Sequence, residues 1–408
     1  MFAGSFTSFS RFAIVCALAM CLLFTGSVLA QSTASIQGNI TDATGASIPN
    51  ATVSIKNQGT GEERTIQTDA SGNYLFPALP VGRYRIEVKA PGMSSMVAND
   101  LPVEVGTSVR QDFSLKVAST TETIEITAAA PVIQDNPVSV GTVVTQKTVQ
   151  EIPLNGRHFV DLALLIPGTV TPPANGFLTA PLRGQGSFAF NTAGAREDSI
   201  NYMINGVNLS DPVQNQITFQ PTINTVQEFK VDNSTFNAEY GRNSGAIVNI
   251  ATRSGSNEWH GEAYDYLRNS FFDARHFLNT KDVLSNGTLV SNPQSPFKRN
   301  QFGGDGGGYI KKDKTFFFLS YEGLRQRQAV PLSTTVLTDA QRAQVQSTSD
   351  PIVKSLLPLI PVANGPNGSF VSAATANVDI DQGTANVSHS FSDSHRVNFY
   401  YALQFDFR

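Results

Sequence analysis

Only two cysteines occur in 408 residues, and both, Cys16 and Cys21, fall within the first 21. The remainder therefore holds neither a disulfide nor a cysteine-based metal site. The five histidines (His158, His260, His276, His389, His395) include no H-E-x-x-H pair, so a metalloprotease-type centre is not indicated. Charged residues make up only 15%, against about 25% in an average soluble domain. With a net charge of −4, no basic surface calls for nucleic acid. After the first thirty residues no run of 18 apolar residues appears, which excludes a transmembrane helix there. A membrane role downstream would have to use β-strands.

What is abundant agrees with that. There are 27 Phe, 10 Tyr and 32 Gly, with a single Trp. Phe-rich, charge-poor chains with many turn residues read as β-structure facing something apolar. The length allows about two to four domains.

At the start, Arg11 precedes an apolar stretch from Phe12 to Phe24, and Val28-Leu29-Ala30 follows. This is the layout of a secretory signal peptide over 1–30, cut between Ala30 and Gln31. The stretch is short for an uncleaved anchor. A lipoprotein would place Cys21 at the mature terminus, but Met20 and the apolar residues beyond it argue against such a cut.

Residues 34–117 read as a seven-stranded β-sandwich. Tyr84, Ile86 and Val88 alternate with Arg83, Arg85, Glu87 and Lys89. Val109, Gln111, Phe113, Leu115 and Val117 repeat the period of two, and Asp69–Tyr74 forms a tight turn into a strand. Ile36–Asp42, Ile48–Val53 and Thr68–Tyr74 together resemble the carboxypeptidase regulatory-like domain. That resemblance implies a transthyretin-like, carbohydrate-binding-like fold without a peptidase site.

Residues 118–129 form a polar linker with a β-prone centre. Its Glu122-Thr123-Ile124-Glu125-Ile126-Thr127-Ala128 resembles the TonB box of outer-membrane active transporters. An extended segment of this kind can add to the sheet edge of a partner. It can equally be an ordinary linker or the last strand of the sandwich.

Residues 130–255 change texture. A short helix is expected near Gly156–Ile166, with Phe159, Leu162, Ala163 and Ile166 on one face and Pro167-Gly168 as its stop. His158 reads as a hydrogen-bonded residue rather than a metal ligand. Ile152–Arg157, Ile204–Asn208, Val226–Val231 and above all Ala238–Gly255 resemble the plug of TonB-dependent receptors of the Oar-like group, an α+β domain. Arg196, Glu197, Asp198, Glu239, Arg242 and Arg253 concentrate charge in a charge-poor chain. In a barrel lumen they would hold plug and wall together reversibly; as surface pairs they would contribute little.

From 257 to 408 the period of two lengthens. Val397, Phe399, Tyr401, Leu403, Phe405 and Phe407 share one face of an eleven-residue strand, enough to cross a bilayer when tilted. Lys314–Gln328, Trp259–Arg268 and Phe302–Ile310 are further strands, and 270–297 and 329–385 read as long external loops. Pro296–Gly304 and Lys314–Gly323 resemble the first strands of Oar-like barrels. Transporter barrels of this type have about 22 strands, and 257–408 accommodates four to six. The expectation is a mainly β chain: sandwich, plug, then the first strands of an incomplete transmembrane β-barrel, the N-terminal part of a longer receptor.

The resemblance implies an outer-membrane receptor with its N-terminal domain in the periplasm. Its partners would be outer-membrane lipid, the TonB-ExbB-ExbD complex acting on the TonB box, and an external ligand of unknown identity. It implies no cofactor, no metal, no catalytic residue and no nucleic acid. The competing reading is an exported carbohydrate- or protein-binding surface module. Nothing in the residues points to an exported enzyme.

Overall fold

The computed structural model describes residues 34–117, 123–127, 133–134, 141–170, 190–195, 199–211, 217–233, 240–241, 243–275, 277, 282–285, 288–291, 295–348, 350–392 and 395–407. Strands dominate, and they fall into three successive groups.

The first group comprises β1 (Ala34–Asp42), β2 (Thr52–Asn57), β3 (Glu63–Gln67), β4 (Asn73–Leu79), β5 (Gly82–Lys89), β6 (Ser95–Val103), β7 (Ser108–Arg110), β8 (Phe113–Leu115), β9 (Thr123–Thr127) and β10 (Ile133–Gln134). One sheet runs β10-β7-β1-β4, with β8 also on β1; the other runs β3-β2-β5-β6-β9. Alternate residues of both sheets, among them Ile36, Ile40, Phe76, Val53, Ile86, Val88 and Phe113, bury into one apolar core. Each such side chain contributes roughly 1.5–3 kcal/mol.

β7 and β8 both lie parallel to β1 and are separated at Gln111. There Gln111 N donates to Gln37 O, and its carbonyl accepts from Tyr74 Oη at 2.5 Å. Only glycine fits opposite: a Cβ on Gly38 would stand 2.0 Å from Gln111 O. At the Asp69 turn, Oδ1 of that residue accepts from the Ser71 and Asn73 N–H groups.

The second group is a mixed sheet in the order β11-β16-β17-β14-β15. Its strands are β11 (Gly141–Val144), β14 (Asn201–Ile204), β15 (Val207–Asn208), β16 (Val226–Asp232) and β17 (Ile247–Thr252), while β12 (Thr169–Val170) and β13 (Asn191–Thr192) pair separately. Asn205-Gly206, both at positive φ, make the two-residue turn from β14 to β15. The helix expected near 156–166 is a 3₁₀ helix, Phe159–Leu165. Phe159, Leu162 and Ala163 still pack with Phe229, Val231, Val248 and Ile250 in a second core.

The third group is one antiparallel sheet in the order β18-β21-β22-β23-β24. It is built of β18 (His260–Asn269), β21 (Phe297–Lys311), β22 (Thr315–Thr335), β23 (Ser369–Ser392) and β24 (His395–Phe407), with a β19 (Asp282–Ser285) and β20 (Thr288–Ser291) hairpin between β18 and β21. On its outer face Leu319, Tyr321, Phe399, Tyr401, Leu403 and Phe405 are exposed. On its inner face Phe316, Phe318, Ser320 and Glu322 are buried.

Two loop expectations change. Residues 329–385 are not one loop, because β22 continues to Thr335 and β23 begins at Ser369. Helices Asp339–Thr348 and Pro351–Leu356 occupy the interval. At 21 and 24 residues these strands exceed the 9–11 that a bilayer needs. Polar and small residues on both faces, as in Ser369–Asp381, leave little apolar alternation, so the sequence there resembles a loop. Within 270–297, the β19–β20 hairpin replaces part of the other.

Candidate functional site: the charged seam behind the third sheet

The inner face of the third sheet meets the central unit through a charged and amide network, flanked by rings such as the buried Phe318 and the partly buried Tyr400. Arg157 is held at positive φ, next to Gly156. Its guanidinium sits over the rings of Tyr264 and Tyr266, 4.5 and 4.4 Å from their centroids. Its Nε lies 3.6 Å from Glu322 Oε2. Glu322 also accepts from Tyr264 Oη and Gln301 Nε2, each at 2.8 Å.

A few residues away, Arg253 Nη1 faces Asp305 Oδ1 at 3.5 Å and stacks 4.8 Å over the Phe318 ring. Asn224 joins the two clusters. It accepts from Arg157 Nη2 and donates through Nδ2 to Glu262 and, at 2.9 Å, to Asp305 Oδ2. Further along, Gln382 Nε2 donates to Gln220 O, and Asn386 Nδ2 donates to Arg253 O, both at 2.9 Å. Two arginines thus meet three carboxylates across the seam; both oxygens of Glu322 and of Asp305 accept, while the buried Arg157 Nε faces Glu322 without a hydrogen bond.

Local sequence explains the placement. Period-two alternation puts Glu262 and Tyr264 of β18 on the same face as Gln301 and Asp305 of β21 and Glu322 of β22. Arg253 follows directly after β17, and Asn224 precedes β16. His158 is buried beside the seam, and its Nδ1 donates to Gln220 Oε1 at 3.1 Å. Burial, with the Arg299 guanidinium adding to it, lowers its pKa to about 3, so the ring stays neutral. Burial raises the Asp161 carboxyl to about 6.

Of the six charge candidates, Arg253 stands in the seam. Arg196, Glu197, Asp198, Glu239 and Arg242 lie outside the described residues. So do Ala30 and Gln31, and Glu122 and Ala128 at the ends of the TonB-box segment. Thr123, Ile124, Glu125, Ile126 and Thr127 form β9, which pairs parallel with β6 in the register Ser95↔Thr123 to Asn99↔Thr127. β9 is thus the edge strand of the first unit's sheet, in keeping with the last-strand alternative for this segment.

Sequence reasoning missed Arg157, Asn224, Glu262, Asp305 and Glu322. Their signal was available: a charge at the inward position of an apolar-alternating strand has to meet a partner. Among the described residues no group of three or more His, Cys, Asp or Glu could hold a metal ion, and no helix is long and apolar enough to cross a membrane.

Comparison with known proteins adds family-level information. Residues 35–116 match the carboxypeptidase regulatory-like domain, and residues 251–406 match the outer membrane beta barrel domain. The chain is 25% identical over 309 residues to the TonB-dependent transporter Oar of Myxococcus xanthus, covering 74% of this chain and 27% of that protein. It therefore spans about a quarter of that relative's length. Among solved structures, the outer membrane transporter YddB from Escherichia coli aligns at 14% identity with a TM-score of 0.41, covering 64% of this chain and 32% of that one. A putative carbohydrate binding protein from Bacteroides uniformis aligns at 20% identity and a TM-score of 0.18, covering 20% and 41%. A 3-chlorocatechol 1,2-dioxygenase from Rhodococcus opacus aligns at 10% identity and 0.18, covering 23% and 63%. These TM-scores do not establish a shared fold. The chain thus carries one region similar to the carboxypeptidase regulatory-like domain and one similar to the outer membrane beta barrel domain, is similar over three-quarters of its length to a TonB-dependent transporter, and is placed by these matches in the outer membrane.

Proposed function

We propose that this chain is the N-terminal part of a TonB-dependent outer-membrane receptor that takes up an external ligand with no covalent chemistry. In this reading, residues 1–30 are the export signal and 34–117 a periplasmic β-sandwich. Residues 118–129 carry the TonB box, 130–255 are the plug, and 257–408 begin the barrel. The ligand binds from outside and the plug shifts. The TonB-ExbB-ExbD complex supplies the pull through Glu122–Ala128.

The observation that carries the reading is the seam itself. A sheet with an apolar outer face and a polar inner face, filled by a second unit through Arg157–Glu322 and Arg253–Asp305, suits a plug in a lumen. Polar contacts of this kind exchange with water at little net cost. An apolar core such as that around Phe229 does not. Family-level similarity to a TonB-dependent transporter supports the same role.

Two measurements test it. The protein should leave the outer membrane only with detergent; recovery as a soluble periplasmic protein would favour the exported binding module. The periplasmic domain of TonB should capture the intact chain and lose at least tenfold in affinity for Ile124→Pro, because proline removes an N–H donor from the docking strand. Equal capture of both would remove the docking role of residues 122–128.

A further inference from the structure

The first unit touches both other units, through two different turns. Near the β2–β3 turn, Glu62 Oε2 accepts from Arg396 Nη1 of β24 at 2.7 Å, and both side chains are nine-tenths buried. Arg64 holds the other Glu62 oxygen at 3.0 Å. In the same turn Gly59 O accepts from Asn257 N at 3.0 Å. Asn257 in turn clasps Asp313, in the β21–β22 turn, through Nδ2 to Oδ1 and through Oδ1 from the Asp313 N–H. This end of the domain is fixed to the rim of the barrel sheet.

The second contact is the turn from β6 to β7, residues 104–107. Val105 N donates to Glu228 Oε1, and Gly106 O accepts from Lys230 Nζ at 3.0 Å. Lys230 is also 3.0 Å from Asp232 Oδ1. Alternation along β16 puts Glu228, Lys230 and Asp232 on one face while Phe229 and Val231 fill the core on the other. Asn249, the register partner of Lys230 on β17, lies on that charged face and is fully buried. A row of three charges along a strand is a face for water. Here all three are buried, and residues of the first unit make the contacts to two of them.

We propose that the first unit is a strap that ties the central unit to the barrel wall, with Glu62–Arg396 as its wall anchor and Glu228–Lys230 as its central anchor. The strap has a packed core of its own, so it transmits displacement rather than absorbing it. The central unit cannot shift against the wall without opening one anchor. The uptake reading assigns no role to either anchor, and the strap does not depend on that reading. One consequence does rest on it. β9 pairs with β6, and β6 leads directly into the 104–107 turn, so tension on residues 123–127 would reach the central anchor first.

Hydrogen exchange on the full chain in detergent tests the strap, with β5 amides as the control for the fold of the first unit. Glu228→Ala combined with Lys230→Ala should speed exchange at 104–107 at least tenfold and leave 57–62 unchanged. Glu62→Ala combined with Arg396→Ala should do the reverse. Glu228→Gln, which keeps an acceptor for the Val105 N–H, should retain most of the protection. Unchanged exchange at both turns when all four residues are altered would overturn the proposal. Loss of β5 protection in either pair would overturn it too, because those residues would then serve the domain's own fold. Capture by TonB is a separate readout, so failure of the strap and failure of the docking role are distinguishable.

Discussion

Arg157 of the central unit and Glu322 of β22 face each other at 3.6 Å, with both side chains nearly buried. Neither charge is isolated: the arginine lies over two tyrosine rings and the carboxylate accepts two hydrogen bonds at 2.8 Å. The two bonds to the carboxylate and the ring faces beside the guanidinium offset part of the cost of burying this pair, while Arg157 Nε makes no hydrogen bond. The seam therefore joins the two units by polar and ring contacts as well as by charge.

Removing one side of that pair should leave the other charge stranded. Arg157→Met is expected to destabilise the packing of central unit on wall by about 3 kcal/mol, and Arg157→Lys by less, since lysine keeps the charge but not the planar stack on Tyr264 and Tyr266. Chemical denaturation in detergent, comparing each variant with Glu322→Gln and with the double change, reads the coupling. Purely additive single effects would mean that the two side chains do not act together.

The fold of the first unit should be sensitive at Gly38. Gly38→Ala places a methyl group where the Gln111 carbonyl already stands and beside the Tyr74 ring. The β1–β7–β8 junction must then open, with an expected cost of at least about 2 kcal/mol. Tyr74→Phe, which loses only the bond to Gln111 O, should cost about 1 kcal/mol. Thermal unfolding of the full chain, followed by proteolysis of residues 34–117, orders the two variants.

The central anchor carries a pH dependence. Burial, and secondarily the neighbouring Glu104 charge, raise the Glu228 carboxyl from 4.5 to about 7 against the bond from Val105 N. Lys230, on the same face, is engaged by Asp232 and Gly106 O. The folded state then binds more protons than the unfolded state between about 4.5 and 7, so stability falls as pH rises through that window. The full cost, on the order of 3 kcal/mol, is present above about pH 7. His158, lowered to about 3, acts in the opposite direction and loses stability as pH falls below 6.5. The difference between wild type and Glu228→Gln isolates the first effect: the urea midpoint at pH 5, taken relative to that at pH 8, should be lower in the variant than in the wild type. Parallel pH profiles would contradict the assignment.

The outer face of β24 should resist charge. Leu403→Arg is expected to cost about 2–4 kcal/mol if that position lies near the bilayer midplane. Gln404→Arg, on the opposite face next to the Gln220 and Gln382 amides, should be tolerated better. Folding yield into lipid vesicles distinguishes them, and equal yields would argue that this face does not meet lipid.

Several elements were legible because one physical rule dominated each. The alternation in Arg83–Lys89 and in Val397–Phe407 reflects two faces meeting different solvents, so β5 and β24 stand where the pattern puts them. The Asp69 turn is set by local backbone geometry. β23 was not legible because both of its faces are largely polar or small, with Gln382, Thr384 and Asn386 on one and Asp381, Gly383 and Ala385 on the other, so no apolar alternation shows.

The sequence alone determined the β-strand character of the chain and the apolar face of its longest alternating segment. These follow from side-chain chemistry repeated along a backbone of fixed period. Only the tertiary structure decided which charges meet: Arg157 with Glu322, Arg253 with Asp305, Glu62 with Arg396, and Glu228 with the Val105 amide. It also decided that Thr123–Thr127 pairs with β6. Partners separated by 50 to more than 300 residues are chosen by how three packed units fit, and no local pattern encodes that fit.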